Sequence, residues 1–122
     1  MNFDKYSIDT EIEYGPLELI DIPKIIESCT KQWQNKSLCG VNDCVVRLAV
    51  IHGEFHWHKH DKEDEFFYVI EGLLLVDFED HTSEIRKGQG IMVPKGVLHR
   101  TRAPERTSVL AVEGNTIVPT GD

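Results

Sequence analysis

The sequence has little of what a membrane or secreted protein would need. Its apolar runs, such as residues 73–76, are far too short to cross a bilayer. Its first residues lack the basic and apolar regions of a signal peptide. It has only three cysteines, Cys29, Cys39 and Cys44, and no Cys-x-x-Cys pair. An odd number of unpatterned cysteines argues against a disulfide framework or a zinc knuckle. We therefore expect a cytoplasmic protein with reduced thiols and no membrane partner.

Positive charge is also scarce. The 122 residues include 13 Lys and Arg against 21 Asp and Glu, which gives a formal net charge of −8. Proteins that bind nucleic acid need a basic face to neutralise phosphates, so no nucleic-acid partner is expected. The hydrophobic fraction of 40% is ordinary for a globular protein, and the length suits one domain with a modest core.

From Cys44 onward the sequence has the composition of short strands. Segments rich in β-branched and aromatic residues alternate with Gly, Pro, Asn and Asp, which predicts an all-β sandwich or barrel. The predicted strands cover residues 44–51, 54–60, 65–70, 73–79, 82–86, 90–93, 98–102 and 107–112. Gly72 is expected to form a tight turn with positive φ.

The N-terminal third differs in pattern. Residues 1–16 are polar and acidic, and we interpret them as an arm or an edge strand. Asp21 can cap a helix in which Pro23 occupies the first turn, and apolar spacing carries this helix to about Gln32. Residues 35–43 are predicted to be a loop.

Three histidines and one carboxylate stand out as candidate metal ligands. His58 and His60 would point to the same side of an extended strand, because side chains alternate with period two. Glu65 opens the next apolar segment, and His99 follows a turn rich in Gly and Pro. Three neutral imidazoles and one carboxylate suit a divalent transition metal.

These residues carry a resemblance to the cupin family. One set of residues resembles the first cupin motif: Gly53, His58, His60, Glu65 and Gly72. A second set resembles the second motif: Gly88, Pro94, Gly96 and His99. Two departures are visible, since four residues rather than five separate Gly53 from His58, and Ala103 replaces an Asn. Neither departure touches a ligand position.

The resemblance implies one cupin domain over residues 1–122 with a double-stranded β-helix, or jelly-roll, barrel. The N-terminal arm and helix would occupy residues 1–42, the barrel residues 43–114 and the tail residues 115–122. The implied ligands are His58, His60, Glu65 and His99, holding Fe, Mn, Ni or Zn. Asp64 is an alternative carboxylate, but Glu65 fits the spacing to Gly72 better.

Other residues near these motifs have two interpretations each. His56 alternates with His58 and is either a catalytic proton-transfer group or a hydrogen-bonded lining residue. Arg47 lies among apolar residues and is expected to pair with a carboxylate rather than reach an anionic ligand. Thr101 shares the face of His99 and is expected to line the pocket, while Arg100 and Arg102 should point to solvent.

The fold does not fix the reaction. The resemblance implies a metal-dependent dioxygenase, isomerase or lyase acting on a small polar organic molecule, or alternatively a non-catalytic sugar or effector binder. Phe66, Tyr68 and Ile70 fall on the strand face opposite Glu65, and their apolar surface needs a cover. The N-terminal helix or a second subunit would supply it, and we expect a homodimer.

Overall fold

A computed structural model of the protein describes residues 6–122, so the first five residues of the predicted arm lie outside the described part. The described residues form eight strands and one short helix. In chain order they are β1 (Ser7–Ile12), α1 (Ile22–Ser28), β2 (Trp33–Val41), β3 (Cys44–Glu54), β4 (Glu65–Glu71), β5 (Leu73–Phe78), β6 (Thr82–Arg86), β7 (Gly90–Val93) and β8 (His99–Gly114). The mostly β architecture with one short helix confirms the predicted fold class.

The long strand β8 organises the sheet. Its first residues pair antiparallel with β5, and its C-terminal half pairs with β4 on one side and β3 on the other. Strands β3, β2 and β1 continue the sheet on one side, and β7 extends it beyond β4. Strand β1 pairs parallel with β2, so the predicted edge strand is confirmed for its described residues.

Two predictions for the N-terminal third were wrong. Residues 35–43 are not a loop, because Trp33–Val41 forms β2 and pairs with β3 through a tight turn at Asn42, which has a φ of 52°. This pairing with an apolar neighbour overrides the weak strand propensity of the polar segment. The helix ends at Ser28 rather than near Gln32, because Cys29 is already extended. The predicted cap is confirmed, since Asp21 Oδ1 accepts a hydrogen bond from the Lys24 N–H.

The strand boundaries around the histidines also differ from the prediction. Residues 54–60 do not form a strand, since β3 ends at Glu54 and only an isolated bridge joins His58 to His99. The two predicted strands 98–102 and 107–112 are one strand, β8. Pro104 does not break it, because the register slips between Ala103 and Thr107 and Pro104 lies in the unpaired bulge.

Two apolar clusters stabilise the fold. The first fills the interior of the barrel and includes Trp33, Phe55, Val69 and Val76. The second lies on the outer face of the sheet, where Ile25 of α1 packs with residues of β2 and β3. Arg106 of β8 donates hydrogen bonds to the carbonyl oxygens of Ile26 and Cys29, which satisfies groups left open at the end of α1. The helix therefore covers part of the outer face and takes no part in the barrel interior.

Candidate metal centre

The four predicted ligands meet at one point inside the barrel. His58 lies in the connection after β3, His60 follows two residues later, Glu65 opens β4 and His99 opens β8. Each contributes one ligand atom, and these atoms all lie within 4.8 Å of one another. His60, Glu65 and His99 are buried, and His58 is partly buried. The fold thus brings together residues from three segments of the chain.

Backbone carbonyls fix two of the imidazole rings. His58 Nδ1 lies 3.0 Å from the His56 carbonyl oxygen, and His99 Nδ1 lies 2.9 Å from the Val97 carbonyl oxygen. A carbonyl oxygen only accepts hydrogen bonds, so each Nδ1 carries the proton. The Nε2 atom of each ring then presents its lone pair, which is the form of histidine that binds metal.

The donor set fits a metal ion. Glu65 Oε1 lies 3.0 Å from His60 Nε2 and 3.2 Å from His99 Nε2. All three atoms are buried and lack a hydrogen bond of good geometry to any described residue. Buried polar atoms rarely stay unbonded, and convergent nitrogen and oxygen lone pairs suit a divalent transition metal.

The electrostatics favour the ligand forms of these residues. Burial lowers the pKa of His58 to about 4, so its imidazole is neutral at neutral pH. Burial alone would raise the pKa of the Glu65 carboxyl. The adjacent polar side chains, His60 first among them, outweigh it and hold that pKa well below its usual range. A metal site needs neutral imidazole and ionised carboxylate, and the two shifts favour these forms at His58 and Glu65.

A cavity opens beside the cluster. It has a volume of about 60 Å³, several times what one water molecule needs, so it suits a compact ligand. His58, Glu65, Thr101 and Glu113 form part of its wall. The remaining wall is mostly apolar and contains Ile8, Trp33, Asn35, Ala49, Ile51, Phe55, Phe67, Leu74, Val109, Ala111 and Pro119. The prediction that Thr101 lines the pocket is confirmed.

Comparison with known proteins identifies the family. Residues 44–113, more than half of the chain, match the family model described as "Cupin domain". The chain belongs to the cupin family. This cupin is 49% identical over 80 residues to the Bacillus subtilis protein YdbB, an alignment that covers 65% of this chain and 71% of YdbB.

Solved structures agree with that assignment. A cupin-2 domain protein from Shewanella frigidimarina superimposes with a TM-score of 0.75 and 30% identity, covering 79% of this chain and 94% of the other. Protein NMB1881 from Neisseria meningitidis gives a TM-score of 0.71 and 28% identity, covering 80% of this chain and 99% of the other.

The alternative carboxylate, Asp64, has another role in this cupin. Its Oδ1 accepts a hydrogen bond of 2.9 Å from the Lys95 N–H, and the residue is exposed. It therefore fixes the turn before His99, and Glu65 is the carboxylate that faces the histidines.

His56 lies beside the cluster but does not line the cavity. Its Nε2 lies 2.6 Å from the Thr120 carbonyl oxygen, and its ring stacks on Phe55. The same C-terminal segment packs on the ligand loop, since a Cβ added at Gly121 would come within 2.6 Å of His58 Cβ. His56 thus ties the tail to the loop that carries His58.

Glu113 belongs to the site but was not predicted from the sequence. Glu113 is buried, lines the cavity and stands opposite Glu65 in the β4–β8 ladder. Burial, with the neighbouring Glu65 carboxylate, raises the pKa of Glu113 to about 9. Arg47 Nε lies 2.9 Å from Glu113 Oε1, which confirms the predicted pairing of Arg47 with a carboxylate. The period-two pattern of inward residues Val109 and Ala111 could have indicated Glu113, had β8 been extended beyond residue 112.

The two arginines beside Thr101 are not simply solvated, which corrects the prediction. Arg100 Nε and Arg102 Nε lie 2.7 and 2.6 Å from Asp77 Oδ2, and both arginines are partly buried. They do point away from the cavity, as expected. Asp77 is itself buried, so its carboxylate needs these partners.

Proposed function

We propose that this cupin is a divalent-metal-dependent enzyme of the dioxygenase, isomerase or lyase type. The observation that carries the proposal is the convergence of buried, unbonded His60 Nε2, His99 Nε2 and Glu65 Oε1 beside a cavity. His58 completes the set from the cavity side. When bound, Zn, Mn or Ni would supply Lewis-acid chemistry and Fe would add oxygen chemistry.

The chain's own residues define the substrate that fits. The apolar side chains of the cavity, such as Trp33, Ile51 and Phe67, would contact a carbon skeleton and exclude water. Thr101 and Asn35 add polar atoms to the wall. The substrate we propose is a small organic molecule with one polar group at the ligand cluster and a largely apolar body.

One observation favours the alternative, a non-catalytic small-molecule binder. His56, the expected proton-transfer residue, does not line the cavity and has its Nε2 against the Thr120 carbonyl oxygen. A proton-transfer residue must lie within reach of the substrate, so His56 is not placed to serve an enzyme in that role. A binder needs only the ion and the apolar wall.

Metal analysis tests the proposal. The untagged protein, purified without chelator, would be analysed by elemental mass spectrometry beside the His58→Ala/His60→Ala double variant. We expect about one transition-metal ion per chain in the wild type and a large loss in the variant. Iron would direct the search for activity to oxygen-consumption assays, and zinc, nickel or manganese to isomerase and lyase assays. No metal in the wild type, even after reconstitution, would overturn the metal-dependent function.

We also propose that the protein is a homodimer. The residue pairing places Val46, Val112, Phe66 and Met92 in one row across four strands of the outer face. Phe66, Met92 and Val112 are 41%, 53% and 37% exposed. Helix α1 covers the neighbouring part of this face, including Ile70, but not this apolar row. A second copy with the same row would cover it about a two-fold axis.

We also propose that the protein is located in the cytoplasm. Cys29, Cys39 and Cys44 are all free thiols. Free thiols are usual in the reducing cytoplasm, which supports a cytoplasmic protein. Within residues 6–122, no helix has the length and apolar character needed to cross a membrane.

A further inference from the structure

Two carboxyl groups lie side by side at the candidate metal centre. Glu65 and Glu113 stand directly opposite each other in the β4–β8 ladder, so their side chains project from neighbouring positions on the same face. Both residues are buried, at 6% and 5% exposure, and both line the cavity. Directly opposed residues on one face of a ladder are close neighbours, so the Glu113 side chain packs beside that of Glu65. A hydrogen bond from Glu113 would hold one oxygen of Glu65 and leave the other oxygen free.

Arg47 continues this contact into the next strand. Its Nε lies 2.9 Å from Glu113 Oε1, and the two side chains are each only 4% exposed. Strand β8 pairs with β3 on its other edge, where Arg47 stands opposite Ala111, so Arg47 reaches Glu113 diagonally and the three residues lie on three adjacent strands. A buried guanidinium restricts the position of its carboxyl partner, because separating the two would leave an unpaired buried charge.

The free oxygen of Glu65 faces the histidines. Glu65 Oε1 is the atom that lies 3.0 Å from His60 Nε2 and 3.2 Å from His99 Nε2, and it makes no hydrogen bond of good geometry to a described residue. We infer that Glu113, held by Arg47, is a positioning residue that fixes Glu65 with this oxygen directed at the metal. The inference rests on the metal site of the proposed function, and it adds two residues that lie outside the cupin motifs.

A comparison of two substitutions at Glu113 tests the inference. Glu113→Gln keeps an N–H donor for Glu65, whereas Glu113→Leu removes every polar atom. Affinity for Zn²⁺ and for Mn²⁺ would be measured by titration calorimetry with a competing chelator. We expect Glu113→Leu to weaken metal binding 10- to 100-fold, in line with the loss of partners that orient a ligand, and Glu113→Gln to weaken it by less than about threefold.

Two further variants separate positioning from folding. Glu105→Leu makes the same change at an exposed site on the same strand and should leave the affinity unchanged. If Glu113→Leu fails to fold because Arg47 is left unpaired, the double variant Arg47→Met/Glu113→Leu removes both members of the pair. It should fold and show the same 10- to 100-fold loss.

The outcomes are distinct. The inference would be overturned if Glu113→Leu and Arg47→Met/Glu113→Leu both lowered the melting temperature of the metal-free protein but left metal affinity unchanged. Glu113 would then act only in folding. A loss in Glu113→Gln as large as in Glu113→Leu would also overturn it, because the hydrogen bond would not matter. Failure of the wild type to bind either ion would instead overturn the proposed function. If the wild type binds metal and the Glu113 variants bind it equally well, the positioning role of Glu113 is wrong but the proposed metal site stands.

Discussion

The main chains of His58 and His99 pair with each other. The N–H of each donates to the carbonyl oxygen of the other, and both distances are 2.9 Å. This isolated antiparallel bridge holds the two ring centroids 4.4 Å apart. The two cupin motifs are therefore joined by backbone hydrogen bonds, and the position of each imidazole does not depend on the other side chain.

Removing one ligand side chain should consequently weaken metal binding without unfolding the protein. We expect His99→Ala to lower metal affinity by at least about tenfold, because one of the four donor atoms is lost while the backbone bridge remains. Elemental analysis would measure the metal per chain, and circular dichroism would report the fold. His81→Ala changes an exposed histidine and serves as the control. Unchanged metal content in His99→Ala would exclude His99 as a ligand.

The two motif glycines at turns should respond differently to alanine. Gly72 and Gly88 have φ values of 98° and 81°, so either substitution costs about 1–2 kcal/mol of backbone strain. A Cβ at Gly72 would also lie 2.5 Å from Thr107 Oγ1 and 2.9 Å from the Arg106 carbonyl oxygen, whereas none of the described atoms lies within 4 Å at Gly88.

We therefore expect Gly72→Ala to lower the free energy of unfolding by about 2–5 kcal/mol, and Gly88→Ala by about 1–2 kcal/mol. Urea denaturation of the metal-free proteins measures both. Equal losses would mean that only backbone strain matters at Gly72, and that its close approach to β8 does not.

Local patterns predicted the ligand cluster because cupin ligands lie at fixed offsets from turn glycines. Residues 55–60 are a connection and not a strand, so the spacing of the cupin motifs, and not strand periodicity, led to His58 and His60. Glu113 was missed because its place in the site depends on β8 pairing with β4, a contact between distant segments. The same cause hid β2, whose polar residues 34–37 become a strand only by pairing with β3.

The buried carboxylate of Asp77 should make stability depend on pH. Hydrogen bonds from Arg102 outweigh burial and hold the pKa of Asp77 well below its usual range, with help from Thr82 and Arg100. The unfolded state therefore binds a proton at higher pH than the folded state does. The stabilisation is complete above about pH 5 and is lost as the pH falls further toward the folded pKa.

Asp77→Asn should remove this pH-dependent part of the stability. We expect the variant to lose about 1–2 kcal/mol at pH 7, where charge-assisted hydrogen bonds are replaced by neutral ones, and less at pH 3. Chemical denaturation between pH 7 and pH 3 measures the difference, with the exposed Glu79→Gln as the control. A difference that is constant across this range would show that the charge of Asp77 contributes nothing.

The apolar row on the outer face should determine the oligomeric state. Phe66→Lys places a charge at the centre of the row, between Val112 and Met92, and we expect it to weaken self-association at least about tenfold. Light scattering coupled to gel filtration measures the mass. Leu19→Lys, at an exposed apolar residue away from the row, should leave the dimer intact. A monomeric wild type would refute the homodimer.

The main role expected of His56 is to hold the C-terminal segment in place. Its Nε2 contacts the Thr120 carbonyl oxygen, and the N–H groups of Gly121 and Asp122 donate to Val118 and Lys59 carbonyl oxygens. Loss of the imidazole in His56→Ala should release this segment, with amide exchange about tenfold faster, which corresponds to roughly 1.4 kcal/mol. Hydrogen exchange with mass spectrometry measures this on the peptide that covers residues 115–122.

His56→Gln separates anchoring from proton transfer, because an amide can donate to a carbonyl oxygen but cannot carry a proton to a substrate. If anchoring is the whole role, exchange in His56→Gln should return to within about threefold of the wild type, and any turnover should return with it. If His56 also transfers a proton, the tail should be protected while turnover stays low. His52→Ala, at an exposed histidine, controls for the loss of an imidazole. Unchanged exchange in His56→Ala would show that the contact with Thr120 does not hold the tail.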